Sequence, residues 1–356
     1  MIGGKMRAIL SGDIADIVAH ALPWSKLSGR RVVVTGAGGF LGGYLVRTLL
    51  ALHAAGIVER PVEVIAMVRD AKRSRERFAG LDRDAAFSLY EWDLSRVDVP
   101  DVQDCGFVMH AASLASPRFY GTDPVGTLMP NTTGTAALLE MLRRSRCPQG
   151  FLFVSSSEVY GAVANSTGLD ETDYGIVDPA SVRACYAESK RMGEAMCVAW
   201  HHQHGLPTFI VRPFHTYGPG LKEDDGRVFA DFVFNVLRGE DIAMNSDGSA
   251  RRAFCYASDA VSGFFHVLLQ GKPALPYNVG NPAGELSVLE LAELLITLAP
   301  RAGIKVQRQM PRAAAGYMAS PYSQLIPDVR RLIELGWRPR IEPRVGFSRM
   351  IEAYQA

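Results

Sequence analysis

A chain of 356 residues, 48% hydrophobic and 21% charged, has the make-up of an ordinary globular protein, long enough for two domains or for one domain with a lobe. A formal net charge of +1 gives no electrostatic ground for nucleic-acid or membrane-surface binding, and no apolar run approaches the ~20 residues of a spanning helix. Five scattered cysteines (Cys105, Cys147, Cys185, Cys197, Cys255), none in a Cys-x-x-Cys pair, indicate neither a metal site nor a disulfide framework. With no signal-peptide core at the N-terminus, reduced thiols and a cytoplasmic location are expected.

Residues 1–30 read as an N-terminal helical extension. Leu10, Ile14, Ile17, Val18 and Ala21 recur at helical spacing, and Pro23 stops the helix. Arg31–Thr35 is a β-branched run, the mark of a buried parallel strand. Gly36-Ala37-Gly38-Gly39-Phe40-Leu41-Gly42 follows at once, and Leu41, Leu45 and Leu49 open a helix. A glycine turn between strand and helix brings backbone N–H groups and a helix N-terminus to a pyrophosphate. The glycines at 36, 39 and 42 depart from the strict Gly-x-Gly-x-x-Gly spacing, so it is the strand–turn–helix setting that gives them meaning. The second strand, Val62–Val68, ends in Arg69-Asp70. An acidic residue there holds the ribose 2′-OH of NAD, whereas an arginine meets the 2′-phosphate of NADP. The basic run from Lys72 to Arg77 reads as a solvated helix face.

Phe87–Tyr90 is a third strand, followed by Trp92-Asp93-Leu94; Gly106–His110 is a fourth, followed by Ala111-Ala112-Ser113. Small residues at a strand end admit a flat ligand closely, and His110 reads as a packed histidine. A helix is predicted over 124–144, carrying Thr127, Asn131 and Gly134, and Phe151–Val154 is the fifth strand, ending at Ser155. Strand and helix alternate through Val211, which argues an α/β fold: a Rossmann-type doubly wound parallel sheet with ligands at the C-terminal strand ends. On a helix over 182–203, Tyr186 and Lys190 stand four apart on one face. A cation beside a phenol favours the phenolate, so the tyrosine can act as a base. Such a pair is commonplace in isolation; the convergence of Gly36, Asp93, Ala111 and Ser155 at strand ends gives it weight. Beyond Pro213 the texture becomes that of a smaller lobe: a loop rich in Gly and Asp to Arg227, a helix to Arg238, a strand over 277–280, a helix from Ser287 with Glu290 in capping-box register, and a last helix over 345–354. The expected organisation is extension 1–30, dinucleotide-binding domain 31–213 and substrate lobe 214–356, with the chain free to cross between the two.

Thr35-Gly36-x-x-Gly39-x-x-Gly42, Tyr186-x-x-x-Lys190 and Arg212-Pro213-x-x-x-Tyr217-Gly218-Pro219 together resemble the extended short-chain dehydrogenase/reductases that act on nucleotide-sugars. Within them, His110–Pro117, Thr127–Thr135, Ser157–Gly161, Arg183–Arg191, Asp225–Val228 and Arg252–Asp259 are most similar to the UDP-glucuronate decarboxylase subgroup. The resemblance implies Tyr186 as the base at the sugar 4-OH, Lys190 lowering its pKa and holding the nicotinamide ribose, and Ser156 bonding the same sugar oxygen. Ser157 and Glu158 would act at C5, and Arg252 would meet the substrate. It places NAD against Gly36, Gly38, Gly39, Phe40, Leu41, Gly42, Arg69, Asp93, Leu94, Ala111, Ala112, Ser113, Asn131, Ser155 and Pro213, and the nucleotide-sugar against Ser116, Tyr120, His215 and Arg227.

The chain departs from the subgroup at Ser156 (Thr there), His215 (Asn), Val68 or Arg69 (Asp) and Gln324 (a basic residue). Arg69 admits NADP. A 4-keto sugar can lose CO₂, lose water or be re-reduced from the other face, so decarboxylase, 4,6-dehydratase and 4-epimerase share one redox core. An NADPH-consuming reductase and a redox-inactive binding protein are the competing classes. A homodimer through the helices over 124–144 and 182–203 is expected.

Overall fold

The computed structural model describes residues 3–81, 83–163, 168–299, 301, 303–308 and 323–355. The strands are β1 (Arg31–Thr35), β2 (Glu63–Val68), β3 (Phe87–Glu91), β4 (Cys105–His110), β5 (Gly150–Val154), β6 (Thr208–Pro213), β7 (His215–Tyr217), β8 (Ile242–Met244), β9 (Arg251–Tyr256), β10 (Pro276–Val279), β11 (Glu285–Ser287), β12 (Val306–Arg308) and β13 (Gln324–Leu325). The helices are α1 (Gly4–Val18), α2 (Phe40–Ala54), α3 (Ala71–Arg75), α4 (Arg118–Thr122), α5 (Pro124–Asn131), α6 (Thr133–Arg144), α7 (Ala184–His204), α8 (Val228–Arg238), α9 (Ala257–Gln270), α10 (Val288–Thr297), α11 (Arg330–Ile333) and α12 (Pro343–Tyr354).

Seven parallel strands form the central sheet in the order β3-β2-β1-β4-β5-β6-β10. Successive residues of a strand face opposite ways. Val32 and Val34 therefore enter one apolar layer with α1, α2 and α9, while Val33 enters the other with Leu138 and Leu142 of α6 and Cys197 of α7. Both faces being covered is why these strands read as unbroken apolar runs rather than alternating ones. β10 comes from the stretch beyond residue 214, so the chain returns to the main sheet after building much of the lobe. In the lobe β9 pairs antiparallel with β11 and parallel with β7 and β13, over a core of Phe229, Phe254, Leu291 and Phe347. The capping box of α10 forms as expected, with Glu290 N–H donating to Ser287 Oγ at 3.0 Å and Ser287 N–H to Glu290 Oε2 at 2.7 Å.

One helix expectation is corrected. Residues 124–144 are two helices, α5 and α6, broken at Thr132, whose φ of −112° and ψ of −80° leave the helical region. Pro130 has no N–H for the preceding turn. Its carbonyl is taken up by His110 Nε2–H at 3.0 Å. A carbonyl can only accept, so His110 Nδ1 is the acceptor in its 2.7 Å bond with Thr35 Oγ1, and Thr35 in turn accepts from Ala112 N–H at 3.2 Å. His110 is a structural link, as read, and burial pulls its imidazole down to about 3.

The extension α1 lies against α2, α9 and α12. Its Asp13, only 1% exposed, accepts from Tyr44 Oη at 2.7 Å, Tyr256 Oη at 2.9 Å and Arg349 Nη1 at 3.2 Å. Those donors sit on α2, β9 and α12, so one carboxylate ties the nucleotide-turn helix to the lobe. Asp13→Ala strands two buried hydroxyls and weakens the hold on Arg349. It should lower unfolding free energy by about 2–4 kcal/mol in urea denaturation.

Candidate active site

The glycine turn is built for close approach. Gly36 has φ of +63°, and a Cβ there would lie 2.7 Å from the Ala112 backbone; a Cβ on Gly42 would lie 2.1 Å from the Gly36 carbonyl oxygen. Only glycine fits at either position. The turn thus meets the end of β4 at Ala111–Ala112. Arg77 donates to Gly38 O, and its other nitrogen lies 3.5 Å from Gly220 O in the lobe. Asn131, fully buried, donates to Ser113 Oγ, Thr127 O and Ser189 Oγ at 3.0–3.1 Å. Its Oδ1 has no partner among the described residues.

Tyr186 and Lys190 project from α7 beneath the end of β5. Lys190 Nζ donates to Val154 O at 2.7 Å, and Tyr186 is hydrogen-bonded to Ser156. Tyr186 stacks on Tyr120, centroids 5.1 Å apart and 14° between planes. The expected lowering of the phenol by Lys190 is not what this form shows. Burial pushes Tyr186 up to about 12; Ser156 and Arg227 pull it back, and Glu158 adds to the rise. Burial also draws Lys190 down to about 7, against the attraction of Glu194. Desolvation exceeds the pairwise help because both groups are almost wholly removed from water.

Ser156 Oγ also accepts from Glu158 N–H at 3.2 Å, fixing the short turn that carries buried Ser157 and Glu158. The Glu158 carboxylate lies against the Arg183 guanidinium, at 3.1 and 3.5 Å. Ser155, expected at the cofactor, donates its hydroxyl to Glu194 Oε1 at 2.5 Å. Glu194 also takes both Arg212 Nε at 2.9 Å and Nη2 at 2.7 Å, and Arg212 Nη1 reaches Glu171 O at 3.0 Å. Arg183 and Glu194 were not among the predicted site residues. Glu194 stands four positions after Lys190, on the same helix face, and that spacing was the available signal.

The lobe supplies the other wall. Arg227 is paired with Asp225 at 2.5 and 2.9 Å and is felt by both Tyr186 and Tyr120. Arg252 donates to Arg251 O at 2.7 Å, and His215, pulled well down by burial and then by Arg252 and Arg227, is neutral. His215 Nδ1 and Ser116 Oγ are buried without a hydrogen-bond partner among the described residues. A Cβ on Gly226 would lie 3.1 Å from that Ser116 oxygen, so the lobe loop closes on the 116–120 segment. Leu94 packs against Gly134, and Pro213 ends β6 beside Val279. Arg69 and Asp93 lie apart from this cluster, at the ends of β2 and β3. No group of three or more His, Cys, Asp or Glu side chains among the described residues could hold a metal ion.

Residues 32–280 match the model of the NAD dependent epimerase/dehydratase family. The chain belongs to that family. It is 35% identical over 332 residues to UDP-glucuronic acid decarboxylase 6 of Arabidopsis thaliana, covering 92% of this chain and 90% of that one. It is 32% identical over 333 residues to UDP-glucuronic acid decarboxylase 1 of Danio rerio, covering 93% and 74%. The fold is shared with UDP-glucuronic acid 4-epimerase of Bacillus cereus, solved with UDP-glucuronic acid and NAD (TM-score 0.74, 23% identity, 91% and 98% covered). It is shared also with dTDP-glucose 4,6-dehydratase of Streptomyces venezuelae, solved with NAD (TM-score 0.76, 24% identity, 91% and 96% covered).

The Arg212–Glu194 pair is buried, with side chains 4% and 13% exposed. Glu194→Ala leaves a buried guanidinium without its counter-charge and should cost about 3–5 kcal/mol of stability. Ser155→Ala removes one charged hydrogen bond and should cost about 1.5–3 kcal/mol, both read from denaturant midpoints.

Proposed function

We propose that this family member decarboxylates a nucleotide-linked glucuronate, with UDP-glucuronate as substrate, through a 4-keto sugar and with internally recycled NAD. The observation that carries the reading is the constellation of Tyr186, Ser156 and Glu158 on one strand end and one helix face, walled by Arg227, Arg252 and His215. The identity to UDP-glucuronic acid decarboxylases over nine-tenths of the chain supports the choice of substrate. The nicotinamide, when bound, supplies hydride acceptance from C4 of the sugar and its later return. Tyr186 takes the 4-OH proton, Ser156 holds the same oxygen, and Lys190 orients the ribose. The 4-ketone makes the C5 carboxylate a β-keto acid, which leaves as CO₂. Glu158, oriented by Arg183, serves proton transfer at C5. Arg252 and Arg227 offer positive charge to the substrate's anionic groups. The cation pulling the Tyr186 phenol down is on the lobe, at Arg227, so closure of the lobe and base strength are linked.

The test is incubation of the purified protein with UDP-glucuronate and NAD. CO₂ and a UDP-pentose are expected. Epimerised or dehydrated sugar without CO₂ would assign the same redox core to a 4-epimerase or 4,6-dehydratase, and net loss of NADPH in a parallel incubation supplied with it would assign it to a reductase. Tyr186→Phe should lower kcat by about 10²–10⁴ with folding intact. Glu158→Gln should lower CO₂ release while leaving C4 oxidation, seen as transient nicotinamide absorbance, largely in place.

We further propose a homodimer formed through α5, α6 and α7. Val125 of α5 and Met192 and Val198 of α7 are 65%, 51% and 45% exposed, an unusual apolar display on two neighbouring helices. Met192→Glu with Val198→Glu should shift the mass in light scattering from dimer to monomer.

A further inference from the structure

Arg191 follows Lys190 on α7 and stands about 100° round the helix from it, off the face that carries the reacting pair. Its guanidinium reaches two backbone carbonyls in separate segments. Nε donates to Val159 O at 2.7 Å and Nη2 to Gly175 O at 2.8 Å, while Nη1 pairs with Glu188 Oε1 at 3.2 Å, one turn back on the helix. Val159 belongs to the short turn Ser157–Tyr160 that carries Glu158. Gly175 lies on the stretch that leads to Arg183 and into α7. A planar fork of N–H donors can hold two carbonyls at once, which a lysine ammonium on a flexible stem does not do with the same geometry.

The two segments also meet through their backbones. Gly175 N–H donates to Tyr160 O at 2.8 Å, Ala162 N–H to Ile176 O at 2.8 Å and Ile176 N–H to Ala162 O at 3.1 Å. Glu158 and Arg183, ion-paired at 3.1 Å, therefore stand on the two sides of one frame, and Arg191 crosses it. Val159 is buried, and a buried carbonyl needs a donor. The next residue is held from the other direction: Tyr160 Oη donates to Asn278 Oδ1 at 2.5 Å, and the Arg212 guanidinium lies 4.9 Å over its ring. Glu158, whose charge is felt at Tyr186, thus projects from a turn pinned at Val159 and Tyr160.

We propose that Arg191 is a positioning residue for the step at C5: by holding Val159 O and Gly175 O together it sets where the Glu158 carboxylate and its partner Arg183 stand, and so governs passage of the keto sugar to decarboxylated product. The inference rests on the reading given under Proposed function, in which Glu158 serves proton transfer at C5. In that reading loss of CO₂ leaves the bonding pair as a C4–C5 enolate. The enolate takes one proton at C5, after which hydride returns to C4 and the proton held by Tyr186 to the C4 oxygen. Arg191 acts through Glu158 and leaves the C4 oxidation to Tyr186, Ser156 and Lys190.

The test separates the two steps. Stopped-flow absorbance of the reduced nicotinamide reads C4 oxidation, and steady-state release of labelled CO₂ from UDP-glucuronate reads passage through C5. Arg191→Ala should lower CO₂ release about tenfold or more and leave C4 oxidation within about twofold, since a small misplacement of a reacting group is enough for such a loss. Arg191→Lys should fall between wild type and Arg191→Ala, and if the alanine variant does not fold, a larger loss of CO₂ release than of C4 oxidation in Arg191→Lys is the expected result. Added to Glu158→Gln, Arg191→Ala should cost less than about a further twofold, because the group it positions is already disabled. Unchanged CO₂ release, parallel loss of both steps in the Arg191 variants, or multiplying losses in the double variant would overturn the proposal while leaving the reading of the site in place. A wild-type protein that releases no CO₂ from UDP-glucuronate would overturn that reading and the proposal with it.

Discussion

A single carboxylate, that of Glu194, holds the corner bearing Tyr186 and Lys190 together. It accepts from Ser155 at the end of β5 and from two nitrogens of Arg212 at the end of β6, and it lies one helical turn beyond Lys190. A buried guanidinium cannot stand without such a partner, because the cost of removing an ion from water is several kcal/mol. The pair therefore fixes α7 against the two central strands. Everything Tyr186 and Lys190 do depends on that placement, since the strand ends supply the Val154 carbonyl for the lysine and the Ser156 hydroxyl for the tyrosine.

The same burial that orders this corner works against its chemistry. Desolvation holds Tyr186 protonated and makes Lys190 a weak ammonium, and it outweighs the help of Ser156 and Arg227 to the one and of Glu194 to the other. In the proposed reaction positive charge has to come from elsewhere for the phenol to become a base. In the proposed reaction Arg227, held charged by Asp225, is the lobe cation that lowers the phenol, and a nicotinamidium bound there would add to it. The catalytic state proposed above is thus one in which the lobe, the cofactor and the sheet are all in place.

The two chain termini keep the lobe there. Asp13 gathers Tyr44, Tyr256 and Arg349, while Tyr354 at the end of α12 accepts from Gly220 N–H at 3.0 Å and donates to Leu221 O. Arg77 joins the same loop to the glycine turn. The extension is thus part of the frame that sets the distance between the nucleotide turn and the wall bearing Arg252.

Much of this was legible in the linear chain. Period and apolar runs gave the strands of the main sheet to within a residue or two and the order of strand and helix, because a strand buried on both faces must be apolar throughout. The glycine turn and the Tyr186–Lys190 pair were legible for the same local reason: a turn with no room for Cβ and two side chains one helical turn apart are properties of neighbouring residues. The break at Thr132 was missed because a continuous apolar period hides it; once the helix stops there, the Pro130 carbonyl is taken up by His110, a partner 20 residues away in sequence. The partner of Glu158, the diversion of Ser155 to Glu194 and the upward displacement of Tyr186 lay beyond the sequence. Arg183 is 25 residues from Glu158 and Glu194 is 39 from Ser155, and desolvation depends on everything packed around a group at once. The sequence by itself determined the sheet, the glycine turn and the pairing of Tyr186 with Lys190 on one helix face; only the tertiary structure decided which charges face that pair and how strongly each is felt, because burial and distance are set by packing between segments far apart in the chain.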